Sequence, residues 1–205
     1  AKQAIRVFAD GLRPDDRLGL VCFADEQIDW VTELTRDRRR FLERLAVQHG
    51  YGQTALLDAL AAAPGLLDAE EAGSKAIVLL TDGIDTASKQ NLWNALTLAR
   101  SVNVPIYAIG FSTFASRLLP SGSTPEEHRI VKLFADETGG RLFVVRDPDD
   151  LKEATLAVQR ELRFRYVISY RPERTLWDGS YRRIQVETAN DRLVVRARRG
   201  YYAEP

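Results

Sequence analysis

The chain has 205 residues, 45% of them hydrophobic, which is enough for one sizeable core and favours one domain with an appendage over two full domains. Basic and acidic residues number 29 each, so a net charge of zero gives no overall drive toward nucleic acid or an anionic membrane. The lone cysteine, Cys22, excludes an intrachain disulfide, and no run approaches the roughly 18 apolar residues of a membrane span.

Methionine is absent, so Ala1 is not an unprocessed translation start. Ala4, Ile5, Phe8, Ala9 and Leu12 fall on one face at helical spacing with no cap before them, and an upstream segment is expected. Residues 18–24 (LGLVCFA) form a short apolar run, consistent with a buried strand, and 27–34 pairs with it through a turn at Asp25. Thr35 can cap a helix containing Phe41, Leu42 and Leu45. After the loop HGYGQT a second helix starts near Thr54, and Pro64 interrupts it.

The strand AIVLL comes next, then a helix around Leu92, Leu96 and Ala99, then the buried strand VPIYAIGFS. Thr124, Pro125 and Glu127 make a helix start of cap, first-turn proline and third-position glutamate. That helix stops at Gly139 and Gly140; a strand over 141–145 and a helix over 147–161 follow. Strands alternate with helices, and the strands are continuously apolar. Both features predict a mainly parallel sheet covered on both faces, an α/β fold.

The last residues differ. Segments 164–170, 181–187 and 192–198 alternate in residue type, as antiparallel strands appended to the sheet edge do. The expected division is therefore 1–162 for the α/β unit and 163–205 for a β extension of the same sheet. Residues 160–205 carry eleven arginines against six acids, which reads as a solvated sheet face. No cluster of exposed aromatics offers a stacking platform, so no nucleic-acid partner is expected.

One stretch carries the functional question. KAIVLLTDGIDT, residues 75–86, runs apolar and then stops at Asp82 and Asp85 around Gly83. Ligands of open parallel sheets bind at the carboxyl ends of the strands, where Asp82 lies. Thr54 begins the helix that leads into the same strand, so its hydroxyl belongs on the same rim. A hydroxyl and a carboxylate are hard oxygen donors suited to Mg²⁺ or Ca²⁺. Each residue has a plainer reading: Thr54 as a helix cap, Asp82 as a turn residue, Asp85 as a turn or cap residue for the next helix. His49 reads as a surface residue, and His128 falls in a helix's first turn with no partner evident from sequence.

The motifs GQTALLDAL from Gly52 and AIVLLTDG from Ala76, with 17–24 before them and VPIYAIG from Val104 after, resemble the von Willebrand factor type A domain family. The resemblance covers about residues 1–160, and the tail resembles a bacterial branch with extra C-terminal strands. It implies a Rossmann-like three-layer α/β/α sandwich with a mainly parallel sheet. It also implies a metal-ion-dependent adhesion site holding Mg²⁺, or Ca²⁺ or Mn²⁺, in which the second-loop threonine matches Thr54 and the third-loop aspartate matches Asp82. The family's Asp-x-Ser-x-Ser has no match, and its first, central strand is missing from this chain. That strand belongs between 18–24 and 76–81. The complete domain is expected to bind the ion, this fragment weakly or not at all.

The implied function is protein binding or adhesion, with the metal bridging to an acidic group on a protein partner. The resemblance also implies an extracytoplasmic setting, secreted or periplasmic. The alternatives are a structural module without metal and a Mg²⁺-dependent phosphatase-like hydrolase. The hydrolase needs Asp-x-Asp after the strand, whereas Asp82 and Asp85 are one residue too far apart, so a non-enzyme is expected. Catalytic signatures such as G-x-S-x-G are absent.

Overall fold

Period-2 alternation in the apolar strands sets the layering of this protein. In the computed structural model, which describes residues 1–25, 27–67, 74–112, 124–173 and 176–203, strands β3 (Ile77–Thr81), β4 (Ile106–Phe111) and β5 (Leu142–Val145) form a parallel sheet in the order β3-β4-β5. Helices α4 (Leu92–Ser101) and α5 (Arg129–Thr138) make the crossovers.

Alternate residues of β3 and β4 enter different cores. Leu79, Ile106 and Ala108 pack with Leu56 and Leu60 of α3 (Leu56–Ala62), Leu96 of α4 and Phe134 of α5. Val78, Leu80 and Ile109 face the other way, toward Ala4 of α1 (Lys2–Asp10) and Leu151 and Ala154 of α6 (Pro148–Arg163). The result is the expected three-layer α/β/α arrangement. Each fully buried large apolar side chain contributes about 1.5–3 kcal/mol.

β1 (Leu18–Ala24) and β2 (Gln27–Thr35) form an antiparallel hairpin. Leu18 and Leu20 pack with Ala9 of α1 and with Phe41 and Leu45 of α2 (Arg38–Val47). The hairpin is a separate sheet among the described residues: β1 does not pair with β3. The family resemblance implies a further strand between β1 and β3.

Two helix starts differ from expectation. Asp37, not Thr35, caps α2, accepting from the Arg40 amide at 2.9 Å, while the Thr35 hydroxyl accepts from the Asp37 amide. Thr124 is not the cap of this helix start: the chain enters α5 through a 3₁₀ turn, Glu126–His128, whose N-cap is Pro125.

The tail also differs. β6 (Tyr181–Arg183) and β7 (Gly200–Tyr202) pair antiparallel with each other, not with the main sheet, so 163–205 does not extend that sheet among the described residues. Residues 164–170 and 192–198 form no strand. The reason is what the ribbon finds on the helical layer. The Arg199 amide donates to the Glu137 carbonyl at 3.1 Å, and the Arg198 guanidinium to the Arg100 carbonyl at 3.1 Å. Arg100 lies 4.8 Å from the Tyr181 ring centroid and pairs with Glu137 at 2.8 Å. These contacts anchor the ribbon on α4 and α5.

Candidate functional site

Three loops meet at the carboxyl end of the strands. The first follows β1, where Asp25 has φ 51°. Its carboxylate accepts from the Gln53 amide at 2.7 Å, and its own amide donates to the Gln53 carbonyl at 2.7 Å. The second loop, at 53–54, is tied in turn to the third, after β3. The Thr54 amide donates to the Thr86 hydroxyl at 2.9 Å, and the Thr86 and Ala87 amides donate back to the Thr54 carbonyl.

Asp85 strengthens this junction in a way its sequence neighbours do not suggest. Its carboxylate accepts from the Leu56 amide at 2.8 Å and from the Ser88 hydroxyl at 2.5 Å, and the Ser88 hydroxyl accepts from the Leu57 amide. Asp85 therefore caps α3, the preceding helix. The next helix, α4, is capped by Asn91, which accepts from the Asn94 amide. A helix running antiparallel to its following strand starts where that strand ends, so the loop after β3 lies beside the start of α3.

This trans cap frees Thr54. The N-cap of α3 is Ala55, with no side-chain bond of its own, so the reading of Thr54 as a helix cap does not hold. Thr54 is half-buried, and no hydrogen bond engages its hydroxyl among the described residues. Asp82 is exposed; one carboxylate oxygen accepts from the Ile84 amide at 3.2 Å, closing a turn. Gly83 has φ 86°, a conformation other residues seldom adopt, so the turn and the carboxylate are set together. Thr54 and Asp82 thus sit on loops bonded to each other, each with a free hard oxygen. A hydroxyl and a carboxylate are both hard oxygen donors. Among the described residues no group of three or more His, Cys, Asp or Glu side chains could hold a metal alone.

His128, unassigned from sequence, is completely buried against this rim. Burial lowers its pKa below the ordinary 6.5, against the raising influence of Glu127 and Asp82. The signal available in the sequence was the pair Gly83 and Gly110, whose missing side chains make room for the ring. His49 is exposed, as expected.

A family model described as von Willebrand factor type A domain matches residues 1–157. A UPF0353 protein of Mycobacterium avium is 26% identical over 178 residues, which are 79% of this chain and 53% of that protein. An uncharacterized protein of Borreliella burgdorferi is 33% identical over 162 residues, 72% of this chain and 47% of that protein. The chain spans about half the length of the curated relatives it matches. Among solved structures, an aerotolerance-related membrane protein from Bacteroides fragilis aligns with a TM-score of 0.60 at 20% identity, covering 79% of this chain and 86% of that one. A von Willebrand factor type A protein from Catenulispora acidiphila aligns at 0.58 with 25% identity, covering 75% and 35%.

Proposed function

Because the chain belongs to the von Willebrand factor type A domain family, a family of interaction modules, we propose that it binds a protein partner through a divalent cation at the carboxyl rim. Thr54 and Asp82 are the ligands this chain contributes. The carrying observation is the free Thr54 hydroxyl: the helix amides it could have capped are taken by Asp85 and Ser88. A bound Mg²⁺, Ca²⁺ or Mn²⁺ supplies an anion receptor, which an acidic side chain of the partner fills.

The chain's own residues prepare that event. Asp85 fixes the start of α3, the Thr54–Thr86 bonds align the second and third loops, and the Asp82 turn presents a carboxylate to solvent. None of this requires bond making, and the reading is a non-enzymatic one. Two donors cannot hold an ion that prefers about six, so the remaining ligands come from residues outside this segment, from water and from the partner. The exported setting is part of the same proposal, supported by the likeness to a protein described as a membrane protein. No helix among the described residues is long and apolar enough to cross a membrane.

Calorimetric titration of Mg²⁺ into the intact protein tests the site. Asp82→Ala should lose Mg²⁺ binding, and lose the partner binding that EDTA also abolishes, with the fold retained. Equal Mg²⁺ binding by Asp82→Ala and wild type would remove the assignment. A second reading is a metal-free structural module. It predicts partner binding that neither EDTA nor Asp82→Ala changes.

A further inference from the structure

His128 ends the turn before α5, and its ring is clamped between glycines of two other elements. A Cβ on Gly110, in β4, would stand 2.7 Å from both Cδ2 and Nε2 of the ring. A Cβ on Gly83 would stand 2.8 Å from Cδ2 and 2.2 Å from the Glu127 carbonyl oxygen. The imidazole is therefore a wedge between the end of β4 and the turn that carries Asp82.

As a wedge alone it is a poor choice. Neither Nδ1 nor Nε2 has a hydrogen-bond partner among the described residues, although the residue is completely buried. Leaving a buried polar group unpaired costs its full desolvation. A phenyl ring occupies similar space without that cost. Buried orphan polar groups in native proteins call for a reason, and a functional site is where such a cost is tolerated. The neutral ring carries one N–H donor and one bare nitrogen acceptor. The Asp82 charge is felt at this ring.

We propose that His128 is a positioning residue of the rim: a ring nitrogen hydrogen-bonds the Asp82–Gly83 turn when a divalent cation engages Asp82, and so holds the carboxylate in its ligating orientation. This rests on the cation reading of Asp82. Groups that orient a ligand from behind typically govern affinity by roughly 10–100-fold. The ring shape serves the unloaded fold; the nitrogens serve the loaded one.

The test uses the intact protein, with Mg²⁺ as the probe. His128→Phe should keep or raise the melting temperature while weakening Mg²⁺ binding by roughly 10-fold or more. In the wild type, the imidazole ¹⁵N resonances of His128 should shift when Mg²⁺ is added, and that shift should vanish in Asp82→Ala. The proposal is overturned if His128→Phe binds Mg²⁺ as the wild type does, or if the ¹⁵N resonances stay fixed while Mg²⁺ binds. The resonance arm needs no His128 variant, so a misfolded variant does not shield the idea. If wild type binds Mg²⁺ and Asp82→Ala does not, a negative His128 result removes only the positioning role. If wild type binds no Mg²⁺, both the cation site and the positioning role fall.

Discussion

The Asp85 carboxylate accepts the Leu56 amide at 2.8 Å, so α3 is capped by a residue 29 positions downstream. The same oxygen accepts the Ser88 hydroxyl, and Ser88 takes the Leu57 amide. Helix start and strand-end loop are therefore one hydrogen-bonded unit.

Asp85→Ala should cost about 1–2 kcal/mol, the upper range for a lost N-cap, because Leu56 is fully buried and its amide has little access to water. Asp82→Ala, on an exposed turn, should stay within about 0.5 kcal/mol of wild type. Urea unfolding of the two variants measures the contrast. Equal losses would mean that the two aspartates do not divide structure and function as described.

Glu137 anchors the C-terminal ribbon. Its side chain is 9% exposed, pairs with Arg100 at 2.8 Å and has Arg199 at 3.9 Å. Glu137→Ala leaves the Arg100 guanidinium, 18% exposed, without its carboxylate. The expected loss is on the order of 3 kcal/mol, with faster amide exchange in β6 and β7. Unchanged exchange in the ribbon would show that backbone contacts alone dock it.

Acidification should destabilise the fold through His128. Burial lowers its folded pKa below 6.5, so the unfolded chain binds the proton more readily. Stability is then intact above the ordinary value and falls as pH drops through 6.5 toward the lowered value. Melting temperatures of wild type and His128→Phe compared across pH 7.5 to 5.5 should diverge, with the wild type dropping further. Parallel curves would assign the acid sensitivity to other groups.

Strand protection should differ across the sheet interruption. β4 is paired on both sides, by β3 and β5, and all but its last residue are buried. β1 and β3 each have one edge unpaired among the described residues. Hydrogen exchange on the isolated 205-residue chain should be slowest in β4 and markedly faster on β1 and β3. Adding a segment that fills the interruption should slow exchange on β1 and β3. Uniform protection in the chain alone would mean that those edges are covered by other means.

The sequence by itself determined the order of strands and helices as far as α6 and a parallel sheet covered on both faces. The reason is that continuous runs such as AIVLL and VPIYAIG can be stable only when buried on both faces, and helical spacing marks what covers them. It also pointed to Thr54 and Asp82, through their place in two motifs and at one strand end. Tertiary structure alone decided how each polar residue is used. Asp85 caps a helix earlier in the chain, Thr54 is released from capping, and His128 is buried between Gly83 and Gly110. It likewise sent the tail onto Arg100 and Glu137 instead of the sheet edge. Hydrophobic periodicity is a local property, whereas a hydrogen-bond partner tens of residues away becomes available only when the layers have packed.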